Sequence, residues 1–386
     1  MNVVRHHMLL LWALRNLARH PGRHLLLFSA VLLLVMINAT LLLFHHALTE
    51  TTLSLVEEQP ALVVRRLTSG GWAPMPAADA LDAVSDIPGV LNPRPRIWGT
   101  VQGPQGPVTV FADIGGGSVA LPESVTLPNP GPGEVWIGGG VTDSSGKVSL
   151  ELRGYRSLRF NIAGKFDHDT DMATHGLVLL PREDARLLLG IPAGHVSDLA
   201  IDVFHVAEAE AMLPDLENAF SWPVQITTRQ SAVKFYTAFF ARKGGVWALV
   251  LVPTILALVL LTAALFEGQV RFSSEMGLLK AFGWTSGDIA RYHFYRTGAI
   301  GLTAAIAGVV LAYCLVFWPG VTWPNHLLLF NSPYVPGLYL SASGAAGVIL
   351  EIAALVVAPF LVAAYWASLR GVGADPADLL EAGQWS

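Results

Sequence analysis

The chain is 386 residues long, 53% hydrophobic and only 14% charged, with a formal net charge of −5. A soluble protein carries about 25% charged residues, so a soluble enzyme, a nucleic-acid-binding protein and a disordered chain are all excluded. The charge is missing in blocks: residues 25–44, 244–266 and 297–317 contain none, and 344–366 contain only Glu351.

Each block is long enough to cross ~30 Å of hydrocarbon as a helix rising 1.5 Å per residue, which predicts four transmembrane helices. Ahead of the first, Arg15, Asn16, Arg19, His20 and Arg23 fall on one helical face and Leu10, Leu11, Leu14 and Leu17 on another. Residues 1–24 therefore read as an amphipathic helix in the headgroup layer, or simply as an anchor helix. The first apolar run exceeds a signal-peptide core, and no small-x-small cleavage site follows at 44–49, so a retained anchor is expected.

Orientation follows from the loops. Arg5, Arg15, Arg19 and Arg23 precede the first block; Arg271, Lys280, Arg291 and Arg296 lie in 267–296; residues 318–343 carry no charge. Positive-inside logic places both termini and the 267–296 loop in the cytoplasm, with 318–343 and 45–243 outside. The 45–243 segment holds 15 Lys or Arg and 22 Asp or Glu, an ordinary soluble composition large enough to bury a core. The one cysteine, Cys314, falls in the third block, so the outer domain is expected to use no disulfide.

Within that domain, strands are expected at 61–67, 94–101, 108–112, 133–137, 147–152, 157–166, 176–180, 198–204 and 224–227. Helices are expected at 77–87, 182–189 and 207–220. The alternation predicts an α+β domain with a β-rich subdomain inserted at about 105–172 and a stalk helix at about 229–243 leading to the second block. In the 267–296 segment, Phe272, Met276, Leu279 and Phe282 form a helical stripe, Gly283 would stop that helix, and Thr285 with Asp288 has the spacing of a capping box. Helix, tight break, helix is a shape that passes force without loose loops, although an ordinary amphipathic connector has the same pattern.

These residues carry a resemblance. The run Trp12-Ala13-Leu14-Arg15-Asn16-Leu17-Ala18-Arg19-His20-Pro21-Gly22-Arg23, the segment from Arg271 through Glu275-Met276-Gly277-Leu278-Leu279-Lys280-Ala281-Phe282-Gly283 to Thr285, and Asp375-Pro376-Ala377-Asp378-Leu379-Leu380 resemble the FtsX/MacB-like, or type VII, ABC transporter permeases, in particular their LolC/LolE-like four-span subunits. The one-plus-three order of spans around a large outer domain is similar over nearly the whole chain. Met276 stands where Ile or Val is commoner in that family, and Trp284 where a small residue is.

The resemblance implies an α-helical membrane protein of the bacterial inner membrane with a MacB-like periplasmic core domain. It implies a homodimer or heterodimer of four-span permeases engaging a separate cytoplasmic ATPase. Glu275, Met276, Gly277, Leu278, Leu279, Lys280, Ala281 and Gly283 would form the coupling helix that docks into the ATPase. The chain would be non-catalytic and hold no cofactor, with ATP and magnesium bound by the ATPase partner. Its function would be mechanotransmission serving export or extraction of a lipid, lipoprotein or small molecule, and an extracytoplasmic protein would be a further candidate partner. One alternative is a membrane-anchored regulator of an external enzyme such as a cell-wall hydrolase; a second is a metal-handling subunit.

Other candidates are weaker. Residues 140–148 approach a phosphate loop but have five residues between the glycines and Val148 where Ser or Thr is needed, so they read as a turn. His168, Asp169, Asp171 and His175 cluster within nine residues without the fixed spacing that a zinc or calcium site requires; a structural turn is the favoured reading. His6-His7 and His45-His46 flank the membrane and are explained as solvated interface positions. Glu351 is costly inside a span and follows Gly344, Gly347 and Val348, which predicts close packing against another helix, with a subunit interface proposed. Pro253 and Pro359 are expected to kink their helices.

Overall fold

A computed structural model describes residues 21–112, 130–141, 149–166, 174–241, 244–271, 280, 282–318 and 338–370. Its contacts divide the chain into a β-containing unit, Thr49–Ala241 with His326–Tyr339, and a helical unit, Met1–Leu48, Arg242–Asn325 and Leu340–Ser386.

The first helix, α1 (Pro21–Glu57), outruns the first charge-free block at both ends. A helix stops where its backbone loses partners, not where its last apolar residue falls. Val31, Val35, Asn38, Ala39 and Leu42 are buried along one stripe, whereas Leu25, Leu26, Leu33 and Ile37 are exposed. That three-and-four spacing is the mark of a helix packed on one side.

The β-containing unit begins with β1 (Leu62–Thr68), which turns into β2 (Gly71–Ala73). After β3 (Met75–Pro76), helix α2 (Ala77–Ser85) buries Ala80 and Val84, with Leu81 and Ile87 packed beside them. The strand expected at 94–101 is two strands. β4 (Val90–Arg96) and β5 (Trp98–Gln102) belong to different sheets, and fully buried Ile97 sits at the switch. Pro93 and Pro95 fit β4 because it is the last strand of its sheet, where a missing N–H costs no ladder bond.

Six strands close a barrel in the order β10, β6, β5, β8, β9, β7: β5 joins β6 (Pro107–Ala112), β7 (Glu134–Ile137), β8 (Ser149–Arg153), β9 (Ser157–Lys165) and β10 (Leu177–Leu180). It spans more than the β-rich segment expected at 105–172. Closure needs β10, which runs parallel to β6 and antiparallel to β7, and β5, which pairs with β6 and β8.

Helix α3 (Arg182–Leu189) ends at Gly190. β11 (His195–Val196) pairs with β3, and β12 (Asp198–Val203) joins the antiparallel sheet β13–β1–β12–β4, with β13 at Val224–Thr228. The helix expected at 207–220 shrinks to α4 (Leu213–Ala219), because Pro214 is tolerated only in a first turn. One core joins sheet and barrel, including Leu62, Val64, Leu199 and Ile201 from the sheet, and Val110, Ile137 and Leu152 from the barrel. Helix α5 (Arg229–Ala241) buries none of its residues and exposes Phe235 and Phe239.

The helical unit continues with α6 (Gly244–Arg271), α7 (Ser286–Phe317), α8 (Ala342–Ile352), a π-helical segment (Ala353–Val357) and α9 (Ala358–Arg370). Among the described residues three helices are long and apolar enough to cross a membrane: His24–Glu57, Ser286–Phe317 and Ala342–Leu369, with mean hydropathies of 2.6, 2.4 and 2.4. They mark a membrane protein. Val250–Ala264 is a shorter apolar stretch. Pro253 lies inside a continuous α6. Pro359 stands two residues after the π-helical segment, an irregularity of the kind at which long helices bend.

Asp198, fully buried at the start of β12, joins strands of both sheets. It accepts from Arg96 Nε at 2.7 Å and Nη2 at 2.8 Å, and from Trp98 Nε1 at 2.7 Å. Losing the carboxylate would strand the Arg96 charge, 11% exposed, in the interior. Asp198→Ala is therefore expected to destabilise the β-containing unit by about 3–5 kcal/mol. Asp202→Ala, which breaks the half-exposed Arg94 pair, should cost under about 1 kcal/mol. Urea unfolding of the detergent-solubilised chain, followed by protease resistance, compares the two.

Candidate functional site

The proposed docking helix lies mostly outside the described residues: Glu275, Met276, Gly277, Leu278, Leu279 and Ala281 all fall there. Its C-terminal end is described. Lys280 is helical and half-buried, and its carbonyl accepts from the Gly283 N–H at 2.9 Å. Gly283 has φ +86°, a left-handed conformation that glycine adopts freely, so the helix stops there.

Two residues later Thr285 caps α7. Its hydroxyl accepts from the Asp288 N–H at 3.3 Å and donates to the Asp288 carboxylate at 2.6 Å. The hydroxyl half of the expected capping box forms, and the acid closes on the cap hydroxyl. Asp288 also places negative charge in a helix first turn, where the macrodipole favours it. The loop expected at 267–296 is shorter than read: α6 runs to Arg271 and α7 starts at Ser286, so Arg291 and Arg296 are helical residues.

The first turns of α7 are buried to an unusual degree for polar residues. Asp288 and His293 are 3% exposed, and Arg296 6%. Arg296 Nη2 lies 3.2 Å from His293 Nδ1; arginine only donates, so the imidazole nitrogen accepts. The guanidinium also stands 5.7 Å from the Tyr292 ring, against which Trp284 and Tyr295 pack. Trp284 is thus part of an aromatic cluster.

Glu351, in α8, has an intramolecular partner. Its Oε2 lies 3.3 Å from His46 Nε2 of α1, each side chain about a quarter exposed. This places His46 in an interhelix pair rather than at a simple solvated interface. Val348 is fully buried, while nothing lies within 4 Å of where a Gly347 side chain would start. Close helix contacts occur elsewhere: a Cβ on Gly308 of α7 would stand 3.0 Å from the Leu32 carbonyl and Val35 of α1.

A second polar contact escaped the sequence reading. Asn38 of α1 donates to the Leu34 carbonyl at 2.8 Å, and the Thr254 hydroxyl of α6 reaches Asn38 Oδ1 at 2.9 Å and its own Val250 carbonyl at 2.6 Å. The signal was a lone amide in an otherwise apolar block, which charge counting ignores.

Of the metal candidates, His168, Asp169 and Asp171 lie outside the described residues. The His175 ring is packed so closely that a side chain on Gly140 would collide with it. No group of three or more potential ligands is present among the described residues. No protein-family model matches the chain, and no curated protein matches it in sequence.

Two measurements check this geometry. Thr285→Val should cost about 1 kcal/mol of helix-end stability, seen as faster hydrogen exchange at the amides of Gly287 and Asp288. A double-mutant cycle of His46→Leu and Glu351→Leu, read by thermal unfolding in detergent, should give a coupling of about 0.5–1.5 kcal/mol; additive effects would show that the pair does not interact.

Proposed function

We propose that the chain is the transmembrane subunit of an ABC transporter complex, in which a separate cytoplasmic ATPase moves the outer domain. The observation that carries this reading is the order of parts. One long apolar helix precedes a β-containing unit of nearly 200 residues, three further apolar helices follow, and a glycine turn followed by a side-chain cap lies just ahead of α7.

In this reading Gly244–Arg271 is the fourth span. The membrane is the bacterial inner membrane, both termini are cytoplasmic and the β-containing unit is periplasmic. The segment Glu275–Gly283 is the helix that docks into the ATPase. The fixed Gly283 turn and the Thr285 cap support that role, since a helix ending in a defined turn transmits displacement that a frayed loop would absorb. The chain is not itself an enzyme, and a second four-span permease completes the complex. Its work is export or extraction of a lipid, lipoprotein or small molecule.

Gly283→Glu forces a left-handed turn on a residue that resists it and adds charge at the docking surface. It is expected to abolish co-purification of the ATPase in mild detergent, as is Leu279→Asp, while leaving membrane insertion unchanged. Retention of a stoichiometric ATPase by both variants would overturn the coupling role. Glu351→Gln should lower coupled ATPase activity or assembly if the His46 pair carries movement between α1 and α8. Unchanged activity and assembly would remove Glu351 from the mechanism.

A further inference from the structure

The β-containing unit has a cleft of about 280 Å³ that the reading above does not use. Its walls include Arg65, Trp72, Pro74, Trp98, Leu189 and Ile191, drawn from β1, the β2 hairpin, β5 and the end of α3. The guanidinium of Arg65 lies over two indoles, 4.4 Å from the centre of the Trp72 ring and 4.9 Å from that of Trp98. Both contacts are of the cation–π kind, which leaves hydrogen bonding to the N–H edge of the guanidinium.

That edge is not satisfied from within. Arg65 Nε stands 3.6 Å from Asp198 Oδ2, too far for a hydrogen bond. The same carboxylate is already held at 2.7–2.8 Å by Arg96 and Trp98. Two arginines share one acid, so one positive charge is left over. Among the described residues, no acceptor is hydrogen-bonded to the two Nη nitrogens of Arg65, whose side chain is 23% exposed.

The walls are pre-set. Trp98 is fixed by Asp198 and by Ser197, which accepts from its N–H at 3.0 Å and donates to its carbonyl at 2.7 Å. Trp72 is 61% exposed yet held in place by its indole N–H donating to Gln225 Oε1 at 3.0 Å. A tryptophan kept in the open by a hydrogen bond leaves a large apolar face to be covered. The volume lies just below the usual range for drug-sized ligands, roughly 300–1,000 Å³, which favours a compact molecule over an acyl chain or a folded peptide.

We propose that this cleft binds a small organic carboxylate with a flat apolar body. The carboxylate takes the Nη edge of Arg65, and the body lies against Trp72 and the Pro74, Leu189 and Ile191 wall. A planar two-oxygen anion matches the guanidinium fork. The site is independent of any coupling to an ATPase.

Isothermal titration calorimetry on the full chain in a nonionic detergent tests it, with 2-naphthoate as probe and uncharged 2-naphthamide as its isostere. The expected result is saturable binding of 2-naphthoate, with 2-naphthamide bound about tenfold to a hundredfold more weakly, as a charge-assisted hydrogen-bond pair predicts. Arg65→Gln should erase the difference between the two probes. Trp72→Ala, at an exposed position that does not threaten the fold, should weaken both by about tenfold. Absence of 2-naphthoate binding, equal affinity for the two probes in the unaltered chain, or unchanged binding in Trp72→Ala would overturn the proposal.

Discussion

Removing charge from the long helices leaves their remaining polar groups dependent on one another. In hydrocarbon no water is available to satisfy an amide, a hydroxyl or a carboxylate. The helical unit meets this constraint pairwise: Asn38 of α1 with Thr254 of α6, His46 of α1 with Glu351 of α8, and the π-helical turns ahead of Pro359. Two of the three involve α1. The first helix is therefore joined by specific polar contacts to α6 and α8, and by the tight approach at Gly308 to α7.

The β-containing unit solves the opposite problem. It has charge in ordinary amounts and buries some of it, at Asp198. That carboxylate lies where the chain leaves the antiparallel sheet at β4 and enters the barrel at β5, and it binds the last residue of one strand, Arg96, and the first of the other, Trp98. Removing water from an acid is costly unless every lone pair is met, and here three donors meet it. Arg65 is left partly unmatched by the same arrangement, so one buried acid both fixes the corner between the sheets and leaves a cation at the cleft.

What was legible in the sequence follows from which physical signal carries it. Apolar blocks and 3.6-residue periodicity gave the long helices and α2, which buries Ala80 and Val84. The cap at Thr285 was legible because its spacing is chemically specific. The division of 94–101 into two strands was not, because a strand that changes sheets keeps its local pattern, and the change at Ile97 depends on partners: β4 pairs with β12, about a hundred residues away, whereas β5 pairs with the nearby β6. The barrel's limits were misread for the same reason: β10 closes it by pairing with β6 across 68 residues of sequence, from Thr109 to Leu177. Glu351 was found by its cost, but not its partner. His46 belongs to a different helix, and one sequence holds no distance between them.

The start of α7 joins the two kinds of constraint. A buried acid at Asp288 would be unfavourable at most positions, yet in the first helical turn it meets the cap hydroxyl and the positive end of the helix dipole. One to two turns further, His293 and Arg296 are buried with aromatic neighbours. The end of α7 nearest the Gly283 break is thus held by polar contacts and aromatic packing rather than left to fray. In the proposed coupling role stiffness at that point matters, because displacement passed to a long helix is lost wherever the backbone leading into it can unwind. Two residues, Trp284 and Thr285, are all that separate the left-handed turn from the first turn of α7, so little chain remains in which such motion could dissipate.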